Sequence, residues 1–265
     1  MQIHIVEDAA AGGVVVADEI QRVLERTGDR GPVLGLATGS SPLPAYQELI
    51  RRHREEGLSF ADARAFILDE YVGLPDEHEQ SYHRFIRENL VSHIDLPEER
   101  VDSPDGTAAD PHAEAVAYDG RIRDAGGVDV QVLGIGSNGH IAFNEPGSSL
   151  GSRTRVVGLT RSTIADNSRY FASREDVPIQ ALSQGLGTIL EARRIVLVAS
   201  GENKAAAIAQ LVEGGISARW PATVLQMHPE VVVVADEAAA SRLELHEDYR
   251  HERRLEEAER AARSH

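Results

Sequence analysis

A few short stretches of this sequence carry residue types that could move protons or hold an anion. Asp69 and Glu70 stand side by side in LDEYVGL (68–74), directly after the apolar run AFIL (65–68). Adjacent carboxylates at the exit of a hydrophobic segment resist ionising together, which raises one pKa and suits a general base. Helix capping by Asp69 is the structural alternative. Further on, Gly134-Ile135-Gly136-Ser137-Asn138-Gly139 leads into His140, with Glu145 five residues later. The pattern fits G-x-G-x-x-G. A dinucleotide loop, however, needs a helix opening on the last glycine and an acid near 155–160, and neither is there: Pro146 and Gly147 follow too closely. The glycines are read instead as a tight turn around a small ligand, with His140 as an acid–base group that Glu145 could orient. No second histidine stands at ligand spacing, so no metal is expected.

Anion chemistry is suggested by Thr38-Gly39-Ser40-Ser41-Pro42, after the run VLGLA (33–37). Ser41 suits a helix N-cap and Pro42 the first helical position. Gly39 permits close backbone approach, and free amides at a helix start attract an anion. An ordinary cap is the alternative, and a Walker loop is excluded because no lysine follows the glycine. Two cations complete the set, Arg169 in DNSRYF (166–171) and Lys204 in SGENK (200–204). Of the 27 basic residues, Lys204 is the single lysine among arginines. A compact ammonium differs physically from a planar guanidinium fork, and a cation at a helix start opposes the macrodipole unless an anion joins it.

Such residues act together only if the chain brings them to one place. Short apolar runs at 2–6, 33–37, 65–68, 129–135, 195–199 and 231–235 read as strands, mostly continuous rather than alternating, as in parallel strands covered on both faces. Amphipathic segments at about 9–26, 43–56, 80–93, 111–125, 202–213 and 236–262 lie between them. Alternation of the two predicts an α/β fold, a Rossmann-like open, mostly parallel sheet with helices on both faces. Every candidate above except Arg169, which lies in an irregular stretch, follows a strand, where ligands of open α/β sheets bind. The Gly-, Ser- and Asn-rich stretch 137–190 breaks the rhythm and is read as an active-site loop followed by a lid-like insertion of short helices, about 155–185. No linker or repeat divides residues 1–265, so one domain is expected, ending in a charged helical tail over about 236–265 that is either solvated or in contact with another subunit of a possible homo-oligomer.

The chain has 43 acidic and 27 basic side chains, a formal charge of −16, and no cysteine. That balance argues against nucleic acid and anionic membrane surfaces as partners. The absence of cysteine excludes disulfides and thiol chemistry and fits a cytoplasmic protein, and no apolar run is long enough to span a bilayer.

Together LGLATGSSP (34–42), LDEYVGL (68–74), SYHRFI (81–86), LGIGSNGHIAFNEPGSSLGSRTR (133–155), NSRYF (167–171) and GENKA (201–205) resemble the glucosamine/galactosamine-6-phosphate isomerase family, over about residues 30–235. The resemblance implies conversion of glucosamine 6-phosphate and water to fructose 6-phosphate and ammonia, without a cofactor. It assigns to Asp69 the proton transfer between C2 and C1, to His140 ring opening, and to Glu145 the orientation of His140. Thr38, Gly39, Ser40, Ser41, Arg169 and Lys204 match phosphate contacts. Asn138 stands where some members carry an aspartate that joins the His and Glu, so an amide replaces a charge. Val157 stands where allosterically activated members carry a lysine near the residues matching Arg155, Ser148 and Ser149, which leaves activation by N-acetylglucosamine 6-phosphate unsupported. Two relatives on the same fold are the alternatives: a 6-phosphogluconolactonase-like hydrolase, not expected to carry LDEYVGL or HIAFNEPGSSL, and a sugar-phosphate-sensing domain, which would need a DNA-binding module.

Overall fold

The computed structural model describes residues 1–26, 30–168, 171 and 173–263. In chain order the elements are β1 Gln2–Val6, α1 Ala9–Leu24, β2 Val33–Leu36, α2 Leu43–Glu56, β3 Arg64–Ile67, β4 Asp69–Tyr71, α3 Tyr82–Asn89, β5 Val101–Asp102, α4 Pro111–Asp124, β6 Val130–Leu133, β7 Arg155–Gly158, α5 Arg161–Asn167, β8 Gln180–Ser183, α6 Leu186–Ile189, β9 Arg194–Ala199, α7 Ala205–Glu213, β10 Val231–Asp236 and α8 His246–Arg263.

Seven strands form a parallel sheet in the order β1-β10-β9-β6-β2-β3-β5. Successive residues of a strand point to opposite faces, and this sheet buries both. Val196, Val198, Val232 and Val234 pack with Val16 and Ile20 of α1 and Tyr46 and Leu49 of α2. Ile195, Leu197, Val231 and Val233 pack with Tyr118 of α4 and Ile208 and Leu211 of α7. Two-sided burial explains why the strands read as unbroken apolar runs, and it places helices on both faces as the sequence predicts.

Strand order reverses between β2 and β6. From β2 the chain steps outward to β3 and β5, then returns through α4 to β6 on the other flank of β2 and continues to β9 and β10. A crevice beyond the carboxyl ends of the strands is expected where the direction of winding switches.

The structure corrects the sequence reading at several points. The stretch 137–190 is not only loop and short helices: β7 and β8 pair antiparallel, and β8 also pairs with β4, making a second, three-stranded sheet. These strands are too short and too polar to show a periodicity. Asp69 and Glu70, poor strand formers, are extended because β8 supplies the partner. Asp69 caps no helix. Ser41 is not an N-cap either; α2 starts at Leu43 with Pro42 at the cap position and no side-chain hydrogen bond there. The helix expected over 80–93 ends at Asn89, with a 3-10 turn over Val91–His93. The tail is not helical from 236: Asp236 ends β10, turns follow, and the helix begins at His246. Among the described residues no helix is long and apolar enough to cross a membrane.

Candidate active site

The loop after β2 carries Thr38, Gly39, Ser40 and Ser41. Gly39 has φ +91°, a left-handed conformation open to glycine, and a β-carbon there would meet nothing within 4 Å, so this backbone faces open space. The amides of Gly39, Ser40 and Ser41 donate to no acceptor among the described residues. Behind the loop, the buried Tyr46 hydroxyl donates to Ala37 O at 2.6 Å and accepts from Ala37 N at 3.2 Å. This double bond to one residue fixes the last peptide before the loop. A β-carbon on Gly134, just past β6, would lie 3.6 Å from Ser41 Cβ, so the two loops touch across the reversal point.

The loop after β6 folds back on itself. Gly136 N donates to His140 O at 2.9 Å, and a β-carbon on Gly136 would fall 2.3 Å from His140 Cε1. The imidazole therefore rests against bare backbone, and only glycine leaves room for it. Gly139, with φ +84°, is closed off in the same way by Trp220, whose ring would be 2.6 Å from a β-carbon. Ala222 N donates to Gly139 O at 2.9 Å and Gly147 N to Ala218 O at 2.8 Å, so the segment around Trp220 braces the turn.

His140 Nδ1 lies 3.4 Å from Glu145 Oε1, an ion-pair distance once the ring is protonated but not a well-directed hydrogen bond. Two better bonds hold the carboxylate: Asn138 Nδ2 donates to Oε2 at 2.7 Å and Thr163 Oγ1 to Oε1 at 2.7 Å. Asn138 Oδ1 in turn accepts from His140 N at 3.2 Å. Burial alone would raise the Glu145 pKa, but His140, Thr163 and Asn138 outweigh it and bring the group down to about 2. Glu145 is therefore a fixed negative charge beside the imidazole.

Asp69 leads β4 and is 5% exposed. Burial, reinforced by the neighbouring Glu70 charge, pushes its pKa up to about 8. The two carboxylates have separate environments. Glu70 is fully buried and accepts from Tyr71 N at 2.8 Å, Ser81 Oγ at 2.9 Å and His83 N at 3.0 Å, tying β4 to the start of α3. Its pKa is raised by burial, with those donors opposing the rise. Glu70 is thus engaged in tying β4 to α3, and Asp69 remains the candidate base.

β4 is joined to the other loops. Leu68 N donates to Leu36 O at 3.0 Å, next to the β2 loop. Asp69 stands opposite Ser183 in β8, and Ser183 Oγ accepts from Phe143 N at 3.1 Å. The Tyr71 and Phe143 rings are 5.8 Å apart. Lys204 closes the set from β9: it is the N-cap residue of α7, and the Gly201 turn before it is pinned by Asp236, whose two carboxylate oxygens each lie 3.0 Å from Gly201 N. Since β9, β6, β2 and β3 are consecutive in the sheet, Lys204, His140, Ser41 and Asp69 all issue from one carboxyl edge. Arg169 lies outside the described residues.

Sequence reasoning missed Thr163, Asn167, Ser183, Tyr46 and Trp220. Trp220, the single tryptophan, carried a compositional signal; Asn167 lay inside the NSRYF motif without being singled out, and Thr163, Ser183 and Tyr46 carried none, because no local pattern shows which group a hydroxyl meets. Near Val157, Arg155 donates to Asn144 Oδ1 at 2.9 Å and Ser148 Oγ at 3.3 Å, and burial lowers its pKa.

Fold and site together define a doubly wound α/β protein whose candidate acid–base and anion-binding residues issue from the carboxyl edge around its winding reversal. Residues 7–234 match the family of glucosamine-6-phosphate isomerases/6-phosphogluconolactonase, and the chain belongs to it. A glucosamine-6-phosphate deaminase of Corynebacterium kroppenstedtii is 59% identical over 86% of this chain and 88% of its own. One from Rhodococcus jostii is 57% identical over 95% and 96%. The solved structure of a monomeric glucosamine-6-phosphate deaminase superposes with a TM-score of 0.88 at 41% identity, covering 91% of this chain and all of that one. A 6-phosphogluconolactonase from Trypanosoma cruzi, at 21% identity and a TM-score of 0.72, shares the fold.

Proposed function

We propose that this protein deaminates glucosamine 6-phosphate, giving fructose 6-phosphate and ammonia. The observation that carries the reading is the pairing, at one carboxyl edge, of a buried carboxyl group poised near neutrality with an imidazole held beside a permanent carboxylate. Proton transfer is most efficient when the catalytic pKa lies near the working pH, and this isomerisation consists of proton transfers.

The phosphate sits on the Thr38–Ser41 amides and hydroxyls, with Lys204 and Arg169 as cations. Binding this remote group positions the reacting carbons. His140 carries the proton from the anomeric hydroxyl to the ring oxygen and the pyranose opens; Glu145 stabilises the imidazolium that forms in between, and Asn138 holds Glu145. Asp69 takes the proton from C2 as a proton of the substrate's ammonium passes to O1, leaving an enolamine, and Asp69 returns its proton to C1. The resulting C2 imine adds water, and the C–N bond of the carbinolamine breaks to release ammonia. The segment at about 155–185 closes over the sugar.

The test is ammonia release from glucosamine 6-phosphate in a coupled assay, with Asp69→Asn as control. Ammonia from the wild type but not the variant supports the reading. Hydrolysis of 6-phosphogluconolactone without ammonia release overturns it.

A further inference from the structure

Helix α5 has one polar face with two destinations. Its cap residue Thr160 accepts from Thr163 N at 3.2 Å, and the two hydroxyls lie 2.8 Å apart. Thr163 Oγ1 donates to Glu145 Oε1 at 2.7 Å, the same oxygen that faces His140 Nδ1 at 3.4 Å. Four residues on, Asn167 Nδ2 donates to the Tyr71 hydroxyl at 2.8 Å, which also accepts from the Tyr82 hydroxyl at 3.2 Å. Residues four apart share a helix face. Tyr71 ends the three-residue strand that Asp69 begins. One face of α5 therefore reaches both the carboxylate beside the histidine and the strand that carries the base.

We infer that Thr163 and Asn167 are positioning residues: α5 spans the two proton-transfer groups and holds the His140–Glu145 pair in register with Asp69. The inference rests on the deaminase reading above. A seven-residue helix has little stability of its own, so its place is set by these contacts. Because the two bonds leave from one face of the same short helix, a shift of α5 moves the Glu145 carboxylate and the end of β4 together. Thr163 also chooses which carboxylate oxygen remains for the imidazole, since Asn138 already occupies the other.

Steady-state kinetics with glucosamine 6-phosphate test this. Thr163→Val keeps the shape and removes the donor. It is expected to lower kcat about tenfold, the scale of a small misplacement of reacting groups, with KM changed less than about twofold. Thr163→Ser restores most of the loss because the donor returns. Asn167→Ala also lowers kcat, and the double variant loses less than the product of the two, since both release the same helix. Wild-type kcat in Thr163→Val, or no rescue by serine, overturns the inference.

A second readout needs no turnover. Thr163 and Asn167 tie α5 to Glu145 and to the end of β4, so Thr163→Val should quicken hydrogen exchange over 161–168 in the unliganded protein while β9 and β10 stay unchanged. Unchanged exchange overturns the strap. Ammonia release absent from the wild type would instead sink the functional reading, leaving hydrogen exchange to judge the strap alone.

Discussion

At the scale of single residues, the cost of burying Asp69 is the central quantity. A carboxyl group whose pKa is higher folded than unfolded holds its proton more tightly in the folded state. It does not oppose folding below its unfolded value near 3.8, and opposes it increasingly as pH rises toward about 8. Asp69→Asn should therefore stabilise the protein while abolishing its chemistry, a stability–activity trade-off. Thermal melts are expected to show a gain in Tm that is larger near pH 8 than near pH 5. In the same variant kcat falls by at least about a hundredfold, the lower end of general-base contributions. A Tm gain independent of pH would mean that Asp69 is not the titrating group. The wild-type kcat/KM should rise with pH on its acid limb, with an apparent pKa well above the ordinary carboxylate range, because Asp69 must lose its proton to act. An acid limb near pH 4 would contradict the burial argument.

At the scale of elements, two strand exits depend on residues that never meet the ligand. Tyr46→Phe leaves the buried N–H and C=O of Ala37 without their partner, at a cost of about 1–3 kcal/mol. Because the freed peptide precedes the anion loop, KM should rise more than kcat falls. Denaturant unfolding and steady-state kinetics measure the two effects separately. On the neighbouring exit, Gly136→Ala forces the His140 ring off its backbone seat. A displacement of this kind costs up to about 100-fold in kcat, while circular dichroism should remain that of the wild type. Full activity in Gly136→Ala would show that the imidazole does not work from this position.

At the scale of the whole molecule, the main sheet is a two-sided core and the second sheet of β4, β7 and β8 is an attachment at its carboxyl edge. Local opening is easiest where few apolar side chains are buried, and β7 has no fully buried residue while β9 and β10 are buried almost throughout. Hydrogen exchange in 155–168 and 173–185 should slow when glucosamine 6-phosphate or a non-reacting analogue binds, while β9 and β10 stay unchanged. Equal exchange with and without ligand would remove the lid.

What could be read from the sequence divides along a physical line. The six strands 2–6, 33–37, 65–68, 129–135, 195–199 and 231–235 were legible because burial on both faces leaves continuous apolar runs, and the helices between them because one face is buried. The candidate residues Asp69, His140, Thr38–Ser41 and Lys204 could be picked out because each follows such a strand closely, and Glu145 because it lies five residues past His140 in the same loop. Strand order, and with it the reversal between β2 and β6, was not encoded in any local pattern; it depends on which strands pair, a choice made by packing across the whole chain. The second sheet was hidden because its strands are short and polar, and because β4 draws its partner β8 from a distant part of the chain. Thr163, Asn167, Ser183 and Tyr46 looked like ordinary polar or aromatic residues because no local pattern shows which group a side chain meets in the fold. Local chemistry and periodicity were determined by the sequence alone, and only tertiary structure decided which hydroxyl meets which carboxylate, because such meetings depend on distance in space, which spacing along the chain does not set.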